Sequence, residues 1–149
     1  MVKIVIPGEP VAKARSKAYW NQKTKHMHYA PNKKTKGFET LLKELAYDKF
    51  PEQMLGPVSM TITFIFPRPS VMVWKKKPMN REWRPKGKDI DNLIKTICDG
   101  LNGVAYIDDR QVVEVIARKC ICINPQEKPR TVINIEPAPN IELIKGVWD

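Results

Sequence analysis

The sequence predicts an α+β domain, a small mixed β-sheet with two main helices packed on one of its faces. Three observations predict it. Two stretches carry apolar residues at helical spacing: Phe38, Leu41, Leu42, Leu45 and Ala46, then Leu93, Ile94, Ile97, Cys98 and Leu101. Four others are β-branched and alternate in polarity, at residues 2–6, 57–66, 111–123 and 130–136. Their order is β, loop, α, β, loop, α, β, β, and 149 residues make one domain, 1–149, with one core.

Residues 2–6 read as a strand that Pro7-Gly8 ends. Residues 8–34 form a basic segment of little periodicity, expected as loop or hairpin, in which Tyr19, Trp20, His26, His28 and Tyr29 interleave with lysines. A helix is expected over Lys36–Phe50, stopped by Pro51. In the strand at 57–66, Val58, Met60, Ile62, Phe64 and Phe66 share one face. Residues 69–88 combine prolines with Lys75-Lys76-Lys77, Arg81, Arg84, Lys86 and Lys88, and predict a mobile loop that orders on nucleic acid. The second helix runs from about Asp91 to Leu101, and Asn102-Gly103 stops it. In the strand at 111–123, Val113, Val115, Ala117, Ile121 and Ile123 are expected on one side; the strand at 130–136 follows, and the proline-rich tail 137–149 is expected to be extended.

Charge is the first functional signal. The chain holds 26 Lys+Arg against 16 Asp+Glu, a formal net charge of +10. Residues 1–88 hold 19 of the basic and 6 of the acidic residues, whereas residues 89–149 hold 7 and 10. A basic surface attracts polyanions by counterion release. Asp89, Asp91, Asp99, Asp108, Asp109 and Glu114 all fall within the acidic part, and they oppose that attraction unless a cation neutralises them. A soluble protein with a solvated acidic helix explains the net charge but not this segregation.

The acids have a pattern. Asp89 and Asp91 lie two apart just before a helix, so an extended backbone points both to one side, where hard oxygen ligands suit Mg²⁺. Helix capping would need one acid, not two. Lys95 lies one turn beyond Asp91, and Asp99 one turn beyond Lys95. That spacing fits an i, i+4 ion-paired face, or an ammonium held over a reacting phosphate. Asp108-Asp109 precedes the long strand and supplies acids from a third element.

These residues resemble one family closely, the RusA-type Holliday junction resolvases. The matching runs are Asp89-Ile-Asp91-Asn92-Leu93-Ile94-Lys95, Asp99-Gly100-Leu101-Asn102, Asp108-Asp109-Arg110-Gln111-Val112-Val113, and the later Lys119. The opening strand, Pro7-Gly8-Glu9-Pro10 and Lys13-Ala14-Arg15 are similar as well. Many members carry proline where this chain has Lys88. The resemblance implies a RusA-like fold and a homodimer that resolves four-way DNA junctions by paired, Mg²⁺-dependent nicks, with Mn²⁺ as a substitute metal, in DNA recombination and repair. It implies Asp89, Asp91 and Asp109 as catalytic acids and metal ligands, Lys95 as the catalytic cation, and Asp99, Asp108 and Lys119 in support. Lys13, Arg15, Lys75, Lys76, Lys77, Arg84, Lys86 and Lys88 are the expected DNA contacts, and Trp74 and Trp83 the expected stacking partners for unpaired bases.

Other classes fit less well. The alternatives are a non-catalytic nucleic-acid-binding module, which leaves the acids unexplained, and a nuclease of broader branched-nucleic-acid specificity. His26-x-His28 and Cys120-x-Cys122 do not make a zinc frame, and three cysteines do not make a disulfide scaffold. Seven glycines supply no phosphate-cradling loop, and no small-molecule cofactor is expected. No apolar run approaches the ~18 residues of a membrane span, so the expected compartment is the cytoplasm, with no membrane partner.

Overall fold

The computed structural model describes residues 1–14, 17–30 and 32–148. Strand β1 (Val2–Pro7) opens the chain, and β2 (Lys17–Asn21) and β3 (His26–Ala30) form a hairpin within the basic segment. Helix α1 (Lys33–Tyr47) follows, then β4 (Val58–Phe66), α2 (Ile90–Leu101), β5 (Val112–Ile121) and β6 (Arg130–Pro137). The α+β reading holds, with one mixed sheet in the order β1-β6-β4-β5 and the separate two-stranded hairpin. β4 pairs antiparallel with β6 but parallel with β5, and a parallel pair needs a long crossover, which here contains α2.

Register sorts the side chains onto two faces. One row is Ile4, Ile133, Ile62 and Ala117; beside it lies Val2, Ile135, Met60 and Val115. These meet Phe38, Leu42 and Ala46 of α1 and Leu93, Ile97 and Leu101 of α2 in the main core. The opposite face carries Lys3, Asn134, Thr61 and Ile116 in one row and Val5, Val132, Thr63 and Arg118 in the next. Among the described residues no helix covers it, which is why Val5 and Ile116 are exposed. Val113 does not lie inward with Val115. The β4–β5 register slips by one residue between Val58 and Ser59, and the bulge turns Val113 outward, 63% exposed.

α1 begins three residues earlier than its apolar pattern suggests. Asn32 caps it by accepting from the Thr35 N–H at 3.1 Å. It also ends before Pro51, where the Lys49 and Phe50 N–H groups both return to the Ala46 carbonyl. α1 and α2 meet where a Cβ on Gly100 would lie 2.7 Å from Leu42 Cδ2, so glycine there lets the helices touch. Lys43 of α1 then donates to the carbonyls of Asp99, Gly100 and Asn102, satisfying the open end of α2.

The segment 69–88 is fastened at several points. Arg68, 7% exposed, donates to the carbonyls of Met72, Asn80 and Ile123 at 2.7, 2.9 and 3.2 Å. Farther on, Arg84 N–H donates to the Lys119 carbonyl and the Glu82 carbonyl accepts from Ile121, so residues 82–84 run beside β5. Lys75, Lys76 and Lys77 project between these anchors. In the tail, Ala138 N–H donates to the Pro57 carbonyl, and residues 141–143 make one 3-10 turn rather than a wholly extended chain. Among the described residues, no helix is long and apolar enough to cross a membrane.

Candidate active site

The family-like motif is built from three places: the first turns of α2, the 3-10 turn Asp109–Gln111, and β5. Its residues divide by whether their polar groups already have partners.

One half is committed to structure. Asp99 lies 2.9 Å from Lys13 Nζ, which also donates to Glu39 at 2.7 Å. Burial opposes the Lys13 charge, but the hydrogen bonds and fields of Glu39 and Asp99 outweigh it and raise Lys13 above the usual lysine range. Lys13 therefore ties the chain before the hairpin to both helices, and its N–H extends the tie to the Asn92 carbonyl. Asp108 caps the 3-10 turn by accepting from the Arg110 N–H, and it pairs with the Arg110 guanidinium at 3.0 Å; the backbone bond first, then the guanidinium, holds its carboxyl below the usual carboxylate range. Nothing in the type or spacing of Gln111 marks a role for it in the sequence. It accepts from the Ile107 and Asp108 N–H groups and donates to the Met54 and Gly56 carbonyls, stapling this turn to the loop before β4.

The other half has no such partner. Asp89 is the N-cap of α2 by backbone, with φ −67° and ψ 136°, yet its side chain takes no capping hydrogen bond. Asp91 lies in the first turn, and both acids are exposed at the partly positive end of the helix. Among the described residues neither has an ion-pair partner. Lys95 stands 3.4 Å from Asp99, but Lys13 approaches that carboxylate more closely, and the Lys95 side chain stays 60% exposed. The i, i+4 ion pair is thus a weak hold on Lys95.

Asp109 opens the 3-10 turn, and its charge is felt at Cys98 in the third turn of α2. Burial first, then Asp109, pushes the Cys98 thiol up to about 11. The Tyr106 hydroxyl, raised by burial first, donates to the Cys98 carbonyl at 2.8 Å and holds the same turn. Asp91 and Cys98 are seven residues apart, roughly 10 Å along a helix. The 3-10 turn that Asp109 opens contacts α2, and Asp109 acts on Cys98 in the third turn, whereas Asp89 and Asp91 lie at the start of the helix with Lys95 on the turn between. Among the described residues, no three His, Cys, Asp or Glu side chains converge closely enough to hold a metal ion.

Lys119 shows what the last basic residue of the motif does in this fold. Its ammonium donates to the carbonyl of Lys88, the residue before Asp89, and so fixes the approach to α2 from the neighbouring strand. Of the expected DNA contacts, Lys75, Lys76, Lys86 and Lys88 are exposed and unpaired among the described residues. Lys77 rests 3.9 Å above the Trp74 ring, whose environment also includes the Arg68 guanidinium at 4.9 Å. Arg84 stacks on Phe66 at 4.8 Å, beneath Gly87. Arg15 lies outside the described residues. Trp83 pairs across from Cys120 on the face of the sheet away from the helices, so it does not face the acids.

This fold, with unspent carboxylates beside unspent cations at one helix start, fits the class of small α+β nucleases. The family described as Endodeoxyribonuclease RusA matches residues 7–136, and the chain belongs to that family. It is also 34% identical over 140 residues to YqaN of Bacillus subtilis (strain 168), described as an uncharacterized protein; the match covers 90% of this chain and 94% of that one.

Proposed function

We propose that this chain is a Mg²⁺-dependent, structure-specific endodeoxyribonuclease that resolves four-way DNA junctions by paired nicks, as a homodimer, in recombination and repair. The observation that carries the reading is the exposed pair Asp89 and Asp91, left without a cation at the start of α2 in a strongly basic protein. Two bare carboxylates next to a polyanion site are costly unless a cation joins them.

The donor set fits the ion. Asp89 and Asp91, at one helix start, are both carboxylates, and Mg²⁺ typically takes one or two of these with water and substrate phosphate rather than a closed protein cage; Asp109, by a later turn of α2, would join them only by drawing closer when DNA and metal bind. When bound, the ion supplies Lewis acidity at the scissile phosphate. The chain's own residues do the rest. Lys95 presents an ammonium beside the acids, where negative charge grows as a phosphodiester is displaced. Lys119 holds the Lys88 carbonyl and thereby the approach of Asp89. Lys75, Lys76, Lys86 and Lys88 bind phosphates, and pairing with a second copy matches a C2 protein to a near-two-fold junction.

The test is cleavage of a labelled synthetic four-way junction beside a linear duplex, with Mg²⁺, with Mn²⁺ and with EDTA. Paired cuts in the junction alone, dependent on metal, are expected. Equal cutting of the duplex would instead make it a nuclease of broader specificity. Sedimentation without DNA should give a mass near twice 17.2 kDa.

A further inference from the structure

We infer that the β2–β3 hairpin is a base-stacking arm, whose Trp20, Met27 and Tyr29 take up unstacked bases of branched DNA. This rests on the DNA-cleaving reading above and adds a site to it. Cross-strand register gives the hairpin two unlike faces. Lys17, Tyr19 and Asn21 lie opposite Ala30, His28 and His26 on one face; Ala18 and Trp20 lie opposite Tyr29 and Met27 on the other. The first face is internally satisfied: Tyr19 stacks on His28 at 5.6 Å between centroids, and His28 Nε2 meets the Thr24 hydroxyl at 2.7 Å. The second has no cover among the described residues. Trp20 is 55%, Met27 51% and Tyr29 69% exposed, and neither strand packs broadly on another element.

An isolated two-stranded hairpin is marginal in water, and an apolar face left open on one adds to that cost. Charge decides what covers it. Between Glu9 and Glu39 the sequence has no acidic residue, while Lys17, Lys23 and Lys25 lie on the hairpin itself. A basic ribbon with a flat aromatic face suits a polyanion that offers π-surfaces: aromatic side chains stack on any base, and lysines hold the backbone. An apolar protein partner would not need the lysines.

Placement agrees. Just before the hairpin, Lys13 N–H bonds the Asn92 carbonyl in the first turn of α2, and Thr35, in the first turn of α1 after it, donates to the Ala12 carbonyl. A small cleft at this root is lined by Glu9, Ala14, Asn32, Thr35 and Lys88, the last being next to Asp89. The arm thus springs from beside the acids, and five extended residues reach about 17 Å from that root. When a protein opens a four-way junction, the base pairs at its branch lose a stacking neighbour and present a free π-face; inside a continuous duplex every base pair keeps two neighbours. The two expected stacking partners are less suited, because Trp74 already carries Lys77 and Trp83 faces the other side of the sheet.

The test measures binding in Ca²⁺, using the full chain in an Asp89→Asn background so that no DNA is cut. Labelled four-way junction and linear duplex of equal length are compared for Trp20→Ala, Tyr29→Ala and Trp20→Phe against the parent with both aromatics intact. Each alanine change should weaken junction binding ~10-fold or more, with duplex binding altered less than ~2-fold, and Trp20→Phe should retain most of the affinity. The Tm should not move, because the hairpin lies outside the core, so loss of folding is separately visible. An equal loss on both DNAs, no loss on the junction, or a protein that never prefers the junction overturns the stacking arm. Cleavage is read apart from this: a protein that binds through the arm yet never cuts in Mg²⁺ sinks the nuclease reading and leaves the arm standing.

Discussion

Two charged clusters in this molecule use the same residue types to opposite ends. At the turn between β5 and β6, Glu127 accepts from Arg81 at 2.6 Å, from Arg130 at 3.1 Å and from the Ile123 N–H. Burial works against its charge, but Arg81 and the other donors outweigh that and hold its carboxyl at about 2. At the start of α2, Asp89 and Asp91 have neither cation nor donor to their side chains among the described residues. A fully partnered charge stabilises the fold it sits in. An unpartnered pair costs stability and persists where a ligand from outside completes it. The charges around Glu127 are spent on building the protein, whereas those of Asp89 and Asp91 are left unpartnered, as the proposed function requires of substrate-facing acids.

The largest effect should come from the unpartnered side. Asp89→Asn or Asp91→Asn should lower junction cleavage at least ~1,000-fold, in line with loss of a metal-ion contribution of several kcal/mol. Thermal stability should hold or rise, since repulsion is relieved, and junction binding should not weaken. Normal cutting by both variants would place the chemistry elsewhere. Lys95→Ala should lose about 2–4 kcal/mol of transition-state stabilisation, a rate loss of roughly 30- to 1,000-fold, without unfolding. A fall in Tm with normal cutting would return Lys95 to an ordinary ion pair with Asp99.

The partnered side should respond in stability instead. Glu127→Gln should cost about 1.5–3 kcal/mol at neutral pH, seen as a lower denaturation midpoint, with cleavage intact. Its pH dependence follows from the sign of the shift. The folded pKa lies below the ordinary value of 4.5, so the contribution is present above that value and is lost as pH falls from about 4.5 toward 2. Acid titration of stability should therefore be shallower in the variant through that window. Lys13→Ala should behave like Glu127→Gln and not like a surface lysine: about 1–2 kcal/mol of stability lost, with little change in the salt dependence of DNA binding.

The smallest effect should be at Lys75, Lys76 and Lys77. Neutralising all three should reduce the slope of log affinity against log salt by about 2 rather than 3, because Lys77 already rests on Trp74. An unchanged slope would mean that this projecting segment does not contact phosphate.

Much of the fold is legible in the sequence because periodicity is a local property. The apolar spacing that marks Leu93, Ile97 and Leu101 as one helix face is the same spacing that buries them, and the inward set of β4 reads off its alternation. Element ends were less legible where a partner elsewhere fixes them. The bulge that turns Val113 outward comes from pairing with β4, and nothing in residues 111–123 marks it.

The same division runs through the candidate site. The sequence by itself determined the kind of chemistry: Asp89, Asp91, Lys95 and Asp109 are recognisable as a motif because residue type and spacing along one helix and one turn are written in order. Only the tertiary structure decided which members of that motif are free to act. Asp99 is taken by Lys13, a residue 86 positions away in the chain, together with Glu39 of α1. Gln111 is engaged by the loop before β4, Asp108 by its own turn, and Lys119 by the carbonyl before Asp89. A carboxylate or amide looks the same in a sequence whether or not its hydrogen bonds are made. The partners come from distant segments, brought together by the packing of α1 and α2 on one face of the sheet, and that packing sets which charges stay without a partner.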